Sequence, residues 1–343
     1  MHRYRYQHRV LACFLATALC LASLYVFELL ARRLDPLWGM TERNACRTIR
    51  PGLGGGFRVN CSCQWERRLR DGTLVFSVRL ETDAHGRRVT PDHTEMNTWK
   101  LGNYGRFSPD SPSSSSPSFT SSSRTRSRLA VFLGCSFTLG AGVEASETLP
   151  AQLRGYHVVN AGASGFGPAQ ALALSSAPDL QGAALAVYTL IPGHIGRATG
   201  AWPVLGTYGA GFPSYVMEGD GVKLEGSFRD VHPWRVWFAE QLAGLALFRR
   251  LPATYAPEDV ELTARLLLAT KERLGAARFL VLAWPGKQNR ELLATLRAEG
   301  MEVFEPEADE ETRESLLDGH PTKGAYRRVG EMLNDYLNRT NRR

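Results

Sequence analysis

The chain has 343 residues, of which 43% are hydrophobic and 22% are charged, and its formal net charge is +7. A hydrophobic share of this size excludes disorder over the whole length. The positive charge is scattered over the termini, a Ser-rich stretch and helix faces, and it forms no stripe with interleaved aromatic residues. The composition therefore argues against a nucleic-acid partner and favours a basic surface near anionic lipid.

An uncharged apolar segment occupies residues 10–27. As a helix rising about 1.5 Å per residue, it would reach roughly 27 Å, close to the apolar thickness of a bilayer. We predict that residues 1–33 form a cytoplasmic tail and an uncleaved signal anchor, inserted through residues 10–30. Arginines before the span favour a cytoplasmic N-terminus. Arg32 and Arg33, on the other side of the span, weaken the argument for that orientation. A cleaved signal peptide is the alternative, but the sequence matches the small-residue motif of a signal-peptide cleavage site poorly.

The next segment, residues 34–110, is predicted to be a small β-rich module close to the membrane. Residues 73–80 alternate in hydrophobicity, and turn signals stand at 71–72 and 85–86. Four cysteines lie beyond the span, and an extracytoplasmic location permits one disulfide in the module, of open connectivity. Cys61 and Cys63 are too closely spaced for a zinc pair without further ligands nearby. We therefore expect no metal and no cofactor.

Residues 111–128 form a Ser/Pro-rich stretch, which we interpret as a linker or a disordered insertion. From residue 129 to 343, apolar runs alternate with amphipathic helical patterns, as in βαβ units. The predicted strands are 129–133, 157–159, 184–190, 278–283 and 301–304, and the predicted helices are 257–274, 287–299 and 322–337. The pattern predicts an α/β domain of three layers, a parallel sheet flanked by helices, with an inserted hairpin near 212–226.

Two glycine-rich motifs follow predicted strands. Ser136 lies in the run 134–140, Gly-Cys-Ser-Phe-Thr-Leu-Gly, directly after the first strand. A serine at the carboxyl end of a parallel strand stands where ligands bind, although a helix N-cap is the commoner role of such a residue. The second run, 160–167, contains Gly162, whose N–H can approach a ligand closely, but a plain strand-to-helix turn also explains it.

A third motif precedes the last predicted helix and reads Asp318-Gly319-His320-Pro321. A histidine oriented by an aspartate through a ring N–H is the general-base half of a Ser-His-Asp arrangement. Pro321 would fix the entry into the helix.

Together, in this order, the three motifs resemble the bacterial SGNH/GDSL hydrolase family over residues 129–337. The resemblance implies a flavodoxin-like SGNH-hydrolase fold. It also implies that Ser136 is the nucleophile, His320 the base and Asp318 its orienting acid. The N–H groups of Ser136 and Gly162 would form the oxyanion hole.

This sequence departs from the family pattern at three places. Cysteine replaces the aspartate before the nucleophile. Glycine stands at position 193, where the family's third block has an oxyanion-binding asparagine, so one donor is missing unless Gly193 or His194 supplies a substitute. His194 can equally be a hydrogen-bonded structural histidine. A single residue separates Asp318 from His320 instead of two, which leaves Glu314 as an alternative acid.

The resemblance implies a serine esterase or acyltransferase that works through an acyl-enzyme. The expected location, single-pass in a bacterial envelope membrane with the catalytic domain outside the cytoplasm, favours an acylated glycan as substrate, with lipid second. Protein partners are not predicted. The rival hypothesis is a membrane-tethered binding or assembly module that keeps the hydrolase fold without catalysis.

Overall fold

The computed structural model describes residues 2–35, 39–47, 57–85, 87–89, 129–249, 254–286 and 288–341. The predicted linker at 111–128 lies outside these residues. The described chain begins with helix α1 (His2–Leu34) and a three-stranded antiparallel sheet of β1 (Thr41–Asn44), β2 (Ser62–Arg68) and β3 (Leu74–Glu81). We call this the N-terminal sheet. It matches the prediction of β structure in this part of the chain.

Five parallel strands form the central sheet. In chain order they are β4 (Leu129–Leu133), β5 (His157–Asn160), β6 (Leu185–Leu190), β9 (Phe279–Ala283) and β10 (Glu302–Phe304). Their order across the sheet is β10-β9-β6-β4-β5, the doubly wound, flavodoxin-like arrangement. All five predicted strands are present within two residues of their expected bounds. The middle strand β6 is buried along its whole length, as a strand covered on both faces must be.

Helices cover both faces of the central sheet. The helices are α2 (Ser136–Leu139), α3 (Pro168–Leu174), α4 (His194–Thr199), α5 (Trp202–Val204), α6 (Phe228–Val231), α7 (Pro233–Leu242), α8 (Ala246–Arg249), α9 (Pro257–Leu274), α10 (Arg290–Ala298), α11 (Glu310–Arg313) and α12 (Lys323–Thr340). One core cluster joins the sheet to α9 and α10, and a second joins its other face to α12. The predicted three-layer α/β domain is therefore confirmed.

An antiparallel hairpin of β7 (Pro213–Glu218) and β8 (Gly221–Ser227) interrupts the domain between the third and fourth strands of the central sheet. This is the hairpin predicted near 212–226. Tyr215 of the hairpin packs with Leu172 and Leu266 on the helices beneath it. The hairpin is thus seated on the helical layer and extends no strand of the central sheet.

The N-terminal sheet packs directly against the α/β domain. Its aromatic residues Trp65 and Phe76 share an apolar cluster with Leu139 and Phe166. A disulfide joins Cys46, just after β1, to Cys61, just before β2, which settles the pairing that the sequence left open. The described strands of the predicted β-rich module therefore share one apolar cluster with the α/β domain.

Arg88 ties the same two parts together through its guanidinium group. The side chain is buried, and it donates to the carbonyl oxygens of Leu139 at 3.1 Å, Gly140 at 2.6 Å and Val143 at 2.7 Å. Burial lowers the pKa of Arg88 from 12.5 to about 10, so the group is still charged at neutral pH. These carbonyls belong to the segment that follows Ser136, so Arg88 anchors that segment from the N-terminal side.

Helix α1 meets the rest of the molecule near its C-terminal end. The Glu28 carboxylate accepts from the Ala246 N–H at 2.8 Å and pairs with Arg32 at 2.6 Å. Among the described residues no helix combines the length and hydropathy that a bilayer span requires. The membrane anchor predicted from residues 10–30 stays a prediction.

We expect Arg88→Met to lower the free energy of unfolding by roughly 3 kcal/mol or more, because buried carbonyl oxygens lose their donor. Urea denaturation of the full chain in detergent measures this difference. Arg79→Met is the matched control, since the Arg79 side chain is exposed on the neighbouring strand. Equal stability of the two variants would contradict the anchoring role of Arg88.

Candidate active site

Ser136 stands at the carboxyl edge of the central sheet. Strand β4 ends at Leu133, and α2 begins with Ser136 itself. In open α/β sheets, ligands bind at the carboxyl edge where the strand order reverses, and β4 lies at that point, between β5 and β6. The fold therefore presents this serine where chemistry is usually carried out.

The turn that presents Ser136 requires glycine at position 134. Gly134 has a φ of +142°, and a Cβ atom added there would lie 2.4 Å from Oγ1 of Thr138. A side chain would meet both the strained backbone conformation and the first turn of α2. The sharp turn therefore depends on this glycine, and it leaves Ser136 8% exposed at the head of the helix.

The histidine loop reaches the same edge from the far end of the chain. A tight turn closes the loop: the Leu316 N–H donates to the His320 carbonyl at 2.7 Å, and Ser315 bridges Pro321. Two residues after His320, the Thr322 hydroxyl accepts from the Ala325 N–H at 3.2 Å and caps α12. The loop is thus held at both ends, which restricts where the imidazole can lie.

The structure brings Ser136, His320 and Asp318 into one chain of hydrogen bonds. The Ser136 Oγ lies 2.9 Å from Nε2 of His320, and Nδ1 of His320 lies 2.8 Å from Oδ2 of Asp318. The His320 backbone N–H also donates to Oδ1 of Asp318 at 3.2 Å. One intervening residue is therefore enough for the aspartate to reach the imidazole. Glu314, the alternative acid, instead accepts from the Thr322 hydroxyl at 3.1 Å.

Asp318 is held ionised by its surroundings. Burial acts to raise the pKa of this carboxyl group, but hydrogen bonds from the His320 ring, its charge, and a further hydrogen bond from Arg67 outweigh that effect and lower the pKa to about 2. The side chain of Asp318 is 1% exposed and that of His320 13% exposed. A carboxylate that is charged at neutral pH favours the ring tautomer in which Nδ1 carries the proton and donates it to Asp318, and in that tautomer Nε2 can accept a proton.

Gly162 lies beside the serine, but its N–H is already occupied. That N–H donates to Oδ1 of Asn160 at 3.1 Å, so in this structure it is not free for the oxyanion hole that the resemblance implied. The amide of Asn160, in turn, donates to the carbonyl of Thr138 at 3.1 Å. A Cβ at position 162 would lie 2.6 Å from Cβ of Thr138, so close packing against α2 explains the glycine.

The two substitute donors considered at the third block differ in position. His194 is fully buried, with Nδ1 2.7 Å from the Tyr188 hydroxyl, and its own N–H donates to Ile191. Burial, with a smaller effect from Arg197, holds the pKa of His194 well below its usual value. In this structure His194 is therefore a buried residue that pairs with Tyr188, and its service as a substitute donor stays a prediction. Gly193 is half-exposed, and a Cβ there would meet open space.

Several features of the site escaped the sequence reasoning. Arg67 of the N-terminal sheet lies 2.7 Å from Oδ2 of Asp318, and no local motif around it signals this contact. The Phe137 ring contacts both the His320 ring, at 5.7 Å between centroids, and Trp284, at 5.5 Å. Phe137 adjoins Ser136 in the sequence, so its position near the site could have been anticipated.

A polar cleft of about 890 Å³ opens next to the histidine loop. It is lined by residues on both sides of α12's N-terminus, among them Glu147, Glu314, Thr322, Lys323 and Arg327. Ser136 and His320 are not among the lining residues, so the cleft does not enclose the reacting atoms.

No family model matches the chain, and no curated protein sequence is similar to it. Among solved structures it is similar to an acetyl xylan esterase from the rumen bacterium Butyrivibrio proteoclasticus, with 12% identity and a TM-score of 0.37 over 62% of this chain and 64% of that one. The match thus spans less than two thirds of the esterase. The chain is also similar to a possible lipase from Chitinophaga pinensis, with 10% identity and a TM-score of 0.32 over 62% of this chain and 98% of that one.

The depressed pKa of Asp318 predicts a pH-dependent contribution to stability. Its folded-state pKa of about 2 lies below the ordinary value of 3.8, so the stabilisation is complete above that ordinary value and is lost as the pH falls towards 2. We expect Asp318→Asn to be less stable than the wild type near neutral pH, with a difference that shrinks at acid pH. Urea denaturation over a pH series checks this. Asp220→Asn, at the exposed hairpin turn, should show no such dependence, and a constant Asp318→Asn deficit at every pH would contradict the assignment.

Proposed function

We propose that the protein is a serine-dependent ester hydrolase with Ser136 as nucleophile, His320 as general base and Asp318 as the acid that orients the imidazole. The observation that carries this proposal is the unbroken chain of hydrogen bonds from Oγ of Ser136 through His320 to Asp318, at 2.9 and 2.8 Å. Distances of this size are those at which a base can take a proton from a serine hydroxyl.

The chemistry runs in two halves. Nε2 of His320 takes the Ser136 proton while Oγ attacks the ester carbonyl, and the imidazolium that forms is stabilised by the Asp318 carboxylate. The proton then passes to the leaving alcohol, which departs and leaves an acyl group on Oγ. Nε2 of His320 then takes a proton from water as the water oxygen attacks the acyl-enzyme, and it gives that proton to Oγ of Ser136 as the bond between Oγ and the acyl group breaks. The acid is released, and Ser136 and His320 regain their starting protonation states.

The N–H of Ser136 is the proposed first donor to the oxyanion. It lies at the start of α2, where backbone N–H groups have no partner within the helix. Because Gly162 donates to Asn160, the second donor would become available only if that hydrogen bond opened when substrate binds. With glycine at position 193, a third donor from a side chain is absent at that position, and a lost donor costs about 2.7–4 kcal/mol of transition-state stabilisation in a serine protease. We therefore expect slow turnover.

We further propose that the enzyme resembles SGNH/GDSL hydrolases in type and acts at a membrane, held by α1, outside the cytoplasm. The substrate class that best suits such a place is an acylated envelope glycan, with an acylated lipid second. If a sugar hydroxyl replaced water in the second half-reaction, the same residues would make an acyltransferase.

A second candidate function is a binding module that keeps this fold without turnover. The occupied Gly162 N–H and the glycine at position 193 favour it. The intact hydrogen-bond chain at Ser136 favours the hydrolase, and we place the hydrolase first for that reason.

The test is release of acetate from p-nitrophenyl acetate and from acetylated xylo-oligosaccharides by the full chain in detergent. We expect measurable kcat/KM in the wild type and a loss of at least about 10⁴-fold in Ser136→Ala. Ser176→Ala, at an exposed serine, is the matched control and should keep full activity. Wild-type activity equal to that of Ser136→Ala would shift the function to the binding module.

A further inference from the structure

The N-terminal sheet places a cation directly on the acid of the site. Nη1 of Arg67, on β2, lies 2.7 Å from Oδ2 of Asp318, although 251 residues separate the two in the chain. Both side chains are largely buried, Arg67 at 12% and Asp318 at 1% exposure. An ion pair withdrawn from water to this extent is screened little by salt.

Arg67 is itself held by residues on both neighbouring strands. In the register of the sheet it pairs with Glu42 of β1 on one side and with Phe76 of β3 on the other. The Glu42 carboxylate accepts from Nη2 at 2.6 Å, and the guanidinium carbon lies 5.5 Å from the centre of the Phe76 ring. The guanidinium therefore has one stable position, and in that position it meets Asp318.

The contact acts on the same oxygen that orients the imidazole. Oδ2 of Asp318 accepts from both Nη1 of Arg67 and Nδ1 of His320, while Oδ1 accepts from the His320 backbone. With both oxygens engaged, the carboxylate cannot rotate about its terminal bond without breaking a charged hydrogen bond. The rotational freedom of Asp318, and through it that of the His320 ring, is limited from outside the α/β domain.

We propose that Arg67 is a positioning residue of the active site and that the N-terminal sheet completes the site by fixing Asp318. This inference rests on the proposed hydrolase function, and it adds that the α/β domain alone carries an incompletely ordered acid and base. The N-terminal sheet is then part of the active site, because it fixes the acid that orients His320.

The first test compares Arg67→Gln, Arg67→Lys and the control Arg79→Gln, an exposed arginine on β3. We expect Arg67→Gln to lower kcat by about 10²-fold, the size of effect that misplacement of a reacting group produces, with KM nearly unchanged. Arg67→Lys keeps the positive charge, but an ammonium group lacks the planar guanidinium that donates to Asp318 and Glu42 together. We therefore expect kcat of Arg67→Lys to lie between those of Arg67→Gln and the wild type. Equal kcat in Arg67→Gln and wild type, with the wild type active, would overturn the inference and leave the hydrolase proposal intact.

A double-mutant cycle separates positioning from general stability. If Arg67 acts only through Asp318, then Arg67→Gln should have almost no effect on kcat when it is added to Asp318→Asn. A structural role would instead lower kcat by the same factor in both backgrounds, and that result would overturn the inference.

A spectroscopic readout tests the same point without turnover. The hydrogen bond from Nδ1 of His320 to Asp318 should give a far-downfield ring N–H proton resonance in the wild type and in Arg79→Gln. We expect this resonance to broaden or vanish in Arg67→Gln while the protein stays folded by circular dichroism. If the wild type lacks esterase activity but shows this pattern, the hydrolase proposal fails and the positioning by Arg67 stands. An unchanged resonance in Arg67→Gln would overturn the positioning.

Discussion

The proposed chemistry depends on one contact, the hydrogen bond between Oγ of Ser136 and Nε2 of His320, and much of the surrounding structure holds these two atoms in place. It joins the segment after the first strand of the central sheet to a loop before the last helix, across 184 residues of chain. A proton can pass between these atoms only if both backbones are held to within a fraction of an ångström. The parallel sheet provides the first support, because it brings the end of β4 and the approach to α12 to one edge.

Finer supports act on each side of that hydrogen bond. On the serine side, Gly134 permits the sharp turn, Asn160 ties the neighbouring loop to α2, and the buried Arg88 holds the segment that follows. On the histidine side, a closed turn and the Thr322 cap limit the loop. The part of the chain before the central sheet contributes to both sides, through Arg88, which follows the N-terminal sheet, and through Arg67 on β2. The packing of this part of the chain against the α/β domain therefore helps to place Ser136 and His320, and it also stabilises the fold.

Sequence reasoning reached the central sheet and the three residues of the hydrogen-bond chain for physical reasons. Buried parallel strands are short apolar runs, and such runs are visible without any tertiary information. Ser136 follows the first of these runs, and Asp318 and His320 precede the last helix, where Gly319 signals a turn. The resemblance of the three motifs to a known family then assigned these residues to one site. Whether Asp318 or Glu314 oriented the imidazole was open, because a loop's path cannot be derived from the spacing of its residues.

The features that sequence reasoning missed are the hydrogen-bond partners of individual polar groups. Arg67 lies in an ordinary amphipathic strand. Its contact with Asp318 can be inferred only when the packing of the N-terminal sheet against the α/β domain is known. The N–H of Gly162 was assigned to the oxyanion hole, but the side chain of Asn160, two residues earlier, captures it. His194 was weighed as a donor or as a structural residue, and in this structure it is buried with Nδ1 beside the Tyr188 hydroxyl. In each case a local pattern gave the residue's place along the chain, and tertiary packing decided where its polar atoms point.

The central claim is that His320 activates Ser136 as a nucleophile, and the most direct measurement is covalent capture. Intact-mass analysis of the full chain after exposure to a fluorophosphonate probe needs no knowledge of the substrate. The account predicts a single adduct that maps to Ser136 and is lost in both Ser136→Ala and His320→Ala. A well-folded wild-type protein that takes up no adduct, or an adduct that persists in Ser136→Ala, would contradict it.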